Sequence, residues 1–348
     1  MENAWQVIKD SYTGYASYLW DQIIHPGWHN YFYWLLGLSA FFFILEILRP
    51  WRAEQPKFRK DFWLDFFYMF FNYFLFSLLI FYAISNLLGG VVESALESWS
   101  FLKATQEFFL GLPVVIHLII GFILADFIQW NTHRLLHRVP FLWEFHKVHH
   151  SVKQMGFAAH LRYHWMENVV YKSIQFIPLL FIGYSYRDFF VIHILATAIG
   201  HYNHANFYLS RTAKGFWGTL IIASLLIFGL DVHVFQGDQI GIEQPFLQIV
   251  LAFAEIFIFS AVLAKPMGNV MDVLFNSPEM HIWHHSKELP KNHKYGINFG
   301  LTLAIWDYVF GTAYIPRSGR DIELGFPGDE EFPDKFIGQQ MHGIIPEK

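Results

Sequence analysis

Long apolar runs separated by short charged segments organise this chain. A helix needs about 20 apolar residues to cross a bilayer. The pattern predicts spans at 31–47, 66–90, 112–130 and 246–264, with shorter pieces at 174–183, 189–204 and 216–230. Residues 66–92 contain no charged side chain. The 174–204 region is broken at Gly183, Tyr184, Ser185, Tyr186, Arg187 and Asp188, and reads as a shallow hairpin. The 216–230 piece is short and 246–264 carries Glu255, so these two read as a second hairpin or a tilted pair.

The connecting segments differ in charge. The linker 48–61 holds Arg49, Arg52, Lys57, Arg59 and Lys60, and the stretch 132–173 holds Arg134, Arg138, Lys147, Lys153, Arg162 and Lys172. The loop 91–107 has one lysine against three glutamates, and 231–245 has acids and no base. By the positive-inside rule the basic segments are expected on the cytoplasmic side. Composition agrees with a membrane protein. The 348 residues are 54% hydrophobic, 20% aromatic and only 15% charged, against roughly 25% charged in soluble domains. A net charge of -5 gives no case for nucleic acid. The absence of cysteine excludes disulfides, thiolate metal sites and a cysteine nucleophile.

Histidines add chemistry to this frame. They recur as His133 and His137 (HRLLH), as His146, His149 and His150 (HKVHH), and as His281, His284 and His285 (HIWHH). Residues three and four apart share a helix face, so each cluster is expected to aim all its rings at one point. Counting crossings puts all three clusters on one side of the membrane. Eight imidazoles exceed the needs of one ion and suffice for two. An all-imidazole donor set suits zinc, copper, iron or nickel. The HExxH pattern of zinc proteases is absent, as are the Glu-x-x-His pairs of soluble di-iron bundles. The isolated histidines His25, His29, His117, His193, His233, His293 and His342 read as structural, and so does His160.

The segments HRLLHRVPFLWEFHKVHHS (133–151), RYHWMEN (162–168), NHANF (203–207) and NSPEMHIWHHSKE (276–288), running on into YGINFGLTLAIWDYVFGT (295–312), carry a resemblance. Together they resemble the fatty acid hydroxylase/sterol desaturase superfamily of integral-membrane di-iron oxygenases. The resemblance spans roughly 112–316. It implies an all-α fold: a multi-pass transmembrane bundle with a cytosolic histidine-rich helical cap around a dinuclear site. It implies two Fe ions, replaceable by zinc in overexpressed protein, held by His133, His137, His146, His149, His150, His281, His284 and His285. His204 joins this set from the NHAN motif. His201, one turn earlier, is a further candidate ligand, and so is His164, where Trp165 replaces the family's usual proline. No catalytic residue beyond the metal ligands is expected. Asp126, Asn131, Asn203, Asn298 and Asp307 are candidates to orient ligands, or else cap helices and turns.

The expected organisation is an N-terminal region (1–111) with two spans, the hydroxylase-like domain (112–316), and a polar cytosolic tail (317–348). An apolar insertion near 213–264 departs from the family pattern and is expected to line a lipid tunnel. The implied activity is O2-dependent hydroxylation or desaturation of a C–H bond in a sterol, fatty acyl or related lipid. Electrons would come from a separate donor of ferredoxin or cytochrome b5 type. The expected location is the inner membrane in a bacterium or the endoplasmic reticulum in a eukaryote. Two other classes remain open from the residues: a zinc-dependent membrane lipid hydrolase, and a divalent-metal transporter. Transport sites sit at mid-membrane in broken helices, whereas these clusters lie at span ends.

Overall fold

The computed structural model describes residues 4–27, 31–72, 94, 98–229 and 245–344. Every regular element among them is helical, and β-pairing is limited to isolated bridges. The first helices are α1 (Ala4–Ile24), α2 (Tyr31–Leu48), α3 (Phe62–Phe70) and α4 (Ser100–Leu110). Most of the expected 66–90 span lies outside the described residues. Helix α1 has no counterpart among the expected spans. Lys9, Asp10 and Asp21 keep its hydropathy low, although it is helical throughout.

The central elements are α5 (Val114–Arg138), α6 (Pro140–His150), a 3-10 turn (Phe157–Leu161), α7 (Trp165–Phe181) and α8 (Tyr186–His204). Helices α7 and α8 meet at a turn where the break is expected, but they do not lie along each other as a hairpin; both pack on α5 instead. Gly183 turns the chain at φ 95, a left-handed conformation that glycine adopts without strain. Ser185 and Asp188 then start α8 with a reciprocal capping box. Helices α9 (Arg211–Gly229) and α10 (Pro245–Leu274) follow and pack along each other. The short helices α11 (Pro278–His284), α12 (Ile305–Val309) and α13 (Phe336–Met341) complete the chain.

Tyr31–Leu48, Val114–Arg138 and Ala254–Leu274 are long and apolar enough to cross a membrane. Their outer faces present apolar side chains to the surroundings, among them Phe41, Ile44, Ile119, Phe257 and Val262. Such a surface is suited to lipid rather than water. Helix α5 continues beyond the expected 112–130 span and carries the first histidine box within the same rod.

The α9–α10 contact depends on small residues. A Cβ placed on Gly215 would lie 1.9 Å from the Ala264 carbonyl oxygen and 2.4 Å from the Gly268 nitrogen. Two helical backbones meet at this point, and neither can retreat as a flexible side chain could. Gly215→Val is therefore expected to separate the pair and to destabilise the protein by about 1–3 kcal/mol or more. Thermal unfolding in detergent checks this, with Gly37→Val as the control, since a Cβ there meets nothing within 4 Å.

The tail is not a loose appendage. Lys153, which follows the second box, and Lys287, which follows the third, both pair with buried Asp329. Tyr68 donates to Gln339 at 2.9 Å, and Gln340 accepts from the Trp165 backbone N–H at 2.9 Å. The tail thus straps the two boxes and α3 together.

Candidate metal centre

Nine histidines from four segments meet in two adjoining groups. One contains His133, His137, His146, His150 and His284; the other contains His149, His204, His281 and His285. Within each group the potential ligand atoms all lie within 4.8 Å of one another. The groups touch: the His150 and His285 rings stack at 4.5 Å, and those of His281 and His284 stack at 5.1 Å.

Local chemistry places each donor. Pro140 at the start of α6 cannot continue the hydrogen-bond ladder of α5, so the chain turns between the first two boxes. Ser277 caps α11, with Pro278 at its first position, and sets the register of the third box. His204 is the last residue of α8.

The boxes do not each aim at a single point. His133 with His137, His146 with His150, and His281 with His285 stay together in one group, whereas His149 and His284 cross to the other. The reason is angular. Side chains four apart are about 40° apart around a helix, whereas adjacent ones are about 100° apart. Each HxxHH box therefore serves both groups.

The ring orientations fit metal. The Nδ1 atoms of His133 and His284 contact the carbonyl oxygens of Phe299 and Ile297 at 2.7 and 2.8 Å. Those of His204 and His149 contact the carbonyls of Gly200 and Arg162 at 2.8 and 3.3 Å. A carbonyl only accepts, so each Nδ1 carries the hydrogen and each Nε2 keeps a lone pair. Yet the Nε2 atoms of His149 and His204 face each other at 3.3 Å. Two lone pairs at this distance repel unless a cation lies between them. Other converging pairs are His133–His146 and His150–His284, both at 3.1 Å, and His204–His281 at 3.0 Å. Two nitrogens bound at right angles, each about 2.1 Å from one ion, lie about 3 Å apart. In addition, His137 Nε2 and His285 Nδ1 are buried with no hydrogen-bond partner among the described residues.

Burial holds His146, His149, His150, His281, His284 and His285 well below the ordinary imidazole range, and neighbouring imidazoles push the same way. The rings are therefore neutral donors, as metal binding requires.

Most of the residues considered for ligand orientation act through one backbone segment, 297–303. Asp307 accepts from the Phe299 and Gly300 N–H groups at 2.9 and 2.7 Å, and from Trp130 Nε1 at 3.0 Å. Asp126 accepts from Thr302 and Leu303, and from Trp306 Nε1 at 2.8 Å. Asn203 donates to the Leu301 carbonyl. Asn298, at φ 53, donates to Met280 and Tyr314 and accepts from the Tyr314 N–H. These bonds hold the strip whose carbonyls orient His133 and His284. Asn131 instead donates to the Phe127 carbonyl within its own helix, on an exposed face.

His201 and His164 lie outside both groups. His201 contacts Ser39 Oγ at 3.2 Å and His160 Nδ1 at 3.1 Å. His164 caps α7 through Nδ1 and stacks on Phe145 at 4.7 Å. Sequence reasoning missed Glu167, whose Oε1 lies 3.0 Å from His146 Nδ1 with both side chains buried. It also missed Asn276, 3.3 Å from His281 Nδ1. Glu167 stands inside the RYHWMEN segment in the first turn of α7, and that acid beside the box motifs was the available signal.

A helical membrane protein with a buried pair of imidazole-lined positions is the class that this fold and site define. The chain matches the sequence profile of the fatty acid hydroxylase family over residues 118–224 and 215–312, and it belongs to that family. Over 216 residues it is 24% identical to the ornithine lipid hydroxylase OlsE of Rhizobium tropici, a match covering 62% of this chain and 47% of that protein. The chain thus spans about half the length of this curated relative. No solved structure matches.

Proposed function

We propose that this protein is a membrane-bound, O2-dependent lipid hydroxylase with two Fe ions. His133, His137, His146, His150 and His284 would hold one; His149, His204, His281 and His285 would hold the other. The observation that carries this reading is the convergence of lone-pair-bearing Nε2 atoms in two touching groups, buried except for the half-buried His137, with no carboxylate ligand among the described residues. Iron bound there supplies oxidation of an unactivated C–H bond by O2, with two external electrons and two protons.

The chain's own contribution is geometric. The carbonyls of Phe299, Ile297, Gly200 and Arg162 fix ring orientation. Near-complete burial of the imidazoles excludes bulk water. The apolar α9–α10 pair beside the site is suited to admit a long acyl chain. The substrate is a membrane lipid, and the relative that hydroxylates ornithine lipid favours hydroxylation of that lipid class over desaturation. The electron donor is a separate ferredoxin or cytochrome b5 type protein, and the boxes face the cytoplasm.

Metal analysis together with lipid mass spectrometry of cells with and without the protein tests this. About two irons per chain and a lipid gaining one oxygen are expected. Zinc retained in active protein, with lipid hydrolysis and no O2 uptake, would replace this reading by the hydrolase. For orientation, cysteines at Lys153 and Lys287 are expected to label only from the cytoplasm, and one at Gly237, outside the described residues, only from the far side. The native chain has no cysteine, so background labelling is absent. Labelling of 153 and 287 from opposite faces would exclude a shared site.

A further inference from the structure

We infer that the surface around Trp143 and Tyr295 is the docking site for an acidic one-electron carrier protein, with Trp143 as the point of electron entry. This inference rests on the hydroxylase reading above. Trp143 is half-buried, and its ring lies 4.9 Å from that of His137 and 5.2 Å from that of His150, both members of one metal group. A conjugated ring therefore runs from the protein surface to two ligand rings. The Gly296 backbone closes on the other side of His137: a Cβ there would lie 3.2 Å from its Nδ1. The adjoining Tyr295 is 47% exposed.

The charge around this point is basic and uncompensated. The Arg138 guanidinium lies 5.9 Å from the centre of the Tyr295 ring and the Lys294 ammonium 5.3 Å from it; both residues are exposed. Arg134 lies one helical turn before Arg138, over the Trp130 ring. Among the described residues neither Arg138 nor Lys294 sits in an ion pair. By contrast, three lysines of the same cap are neutralised: Lys147 by Glu144, Lys153 by Asp329, and Lys287 by Glu323, Asp329 and Glu330. Bases left unpaired next to the exposed ring fit a negatively charged partner, which they would steer and orient.

The stoichiometry is complete with such a carrier. Two reduced carriers are each oxidised by one electron. With two protons and one O2, the substrate C–H becomes C–OH, and the second oxygen atom leaves as water.

The test uses full-length protein in detergent, with reduced plant-type ferredoxin and the soluble domain of cytochrome b5 as separate probes. At least one probe is expected to bind more tightly as salt is lowered. Arg138→Glu with Lys294→Glu should weaken that binding at least about tenfold and flatten its salt dependence, with metal content unchanged. Trp143→Leu should leave binding in place but lose fast oxidation of the bound carrier, and Trp143→Phe, which keeps an aromatic ring, should recover part of it. The inference is overturned if neither probe binds in a salt-dependent way, or if the charge-reversed protein binds like the wild type. It also fails if Trp143→Leu oxidises the carrier at the wild-type rate. Loss of binding to anionic lipid vesicles by the charge-reversed protein, with carrier binding intact, would assign the patch to lipid headgroups instead. Lipid hydroxylation in whole cells expressing the wild type is measured separately, so failure of the hydroxylase reading is distinguishable from failure of the docking surface.

Discussion

His284→Ala and His149→Ala are each expected to abolish lipid oxidation, and each to reduce the bound metal from about two ions per chain to about one. The two residues belong to different groups, and each stands apart from the other two histidines of its own box, which both lie in the opposite group. Removing His284 deletes the ring oriented by the Ile297 carbonyl at 2.8 Å and leaves its neighbour His150 Nε2 without a partner at 3.1 Å. Removing His149 takes one of four donors from the smaller group. His233→Ala, in the acidic loop outside the described residues, should leave activity nearly intact. Metal content by mass spectrometry and product formation in the same preparations check all three. Full activity in either box variant would show that the paired groups are not the active site.

Glu167→Gln is expected to weaken metal retention or activity by about 10–100-fold, the usual range for groups that orient a metal-bound histidine. The Glu167 carboxyl is fully buried; burial alone raises it well above the ordinary carboxylate range, so it is a cation on the facing His146 ring that would keep it ionised. His146 Nδ1, at 3.0 Å, is its one ion-pair contact among the described residues. A ligand ring bound to a cation becomes a stronger hydrogen donor, and a carboxylate facing it fixes the ring and offsets charge. The amide retains shape and loses the charge. Competition with a graded chelator, alongside a melting curve, separates weaker metal binding from loss of fold. Metal retention equal to wild type against the chelator would reduce Glu167 to a packing role.

Much of the site was legible before the fold. The spacings of HRLLH, HKVHH and HIWHH, the NHAN motif and the lack of cysteine together named the nine histidines that the structure brings together. They also specified a nitrogen-rich environment. The turn at 183–185 was legible because Gly183 and Arg187-Asp188 break an apolar run; that the two helices pack on α5 rather than on each other was not. Helix α1 was not, because its polar residues hide a regular helix from any hydropathy reading.

What the sequence by itself determined is therefore the donor chemistry, the helical class and the apolar spans, since these follow from residue type and from periodicity along one element. Tertiary structure alone decided which histidine joins which group, and that His201 and His164 stand apart. It also decided that Glu167 backs His146, that the tail straps the boxes through Asp329, and that the carbonyls of 297–303 orient the rings. Each of these depends on how separate helices are rotated and brought together. A backbone carbonyl has no letter in the sequence, and a 100° step between adjacent helical residues assigns neighbours to different sites only once the facing helices are in place.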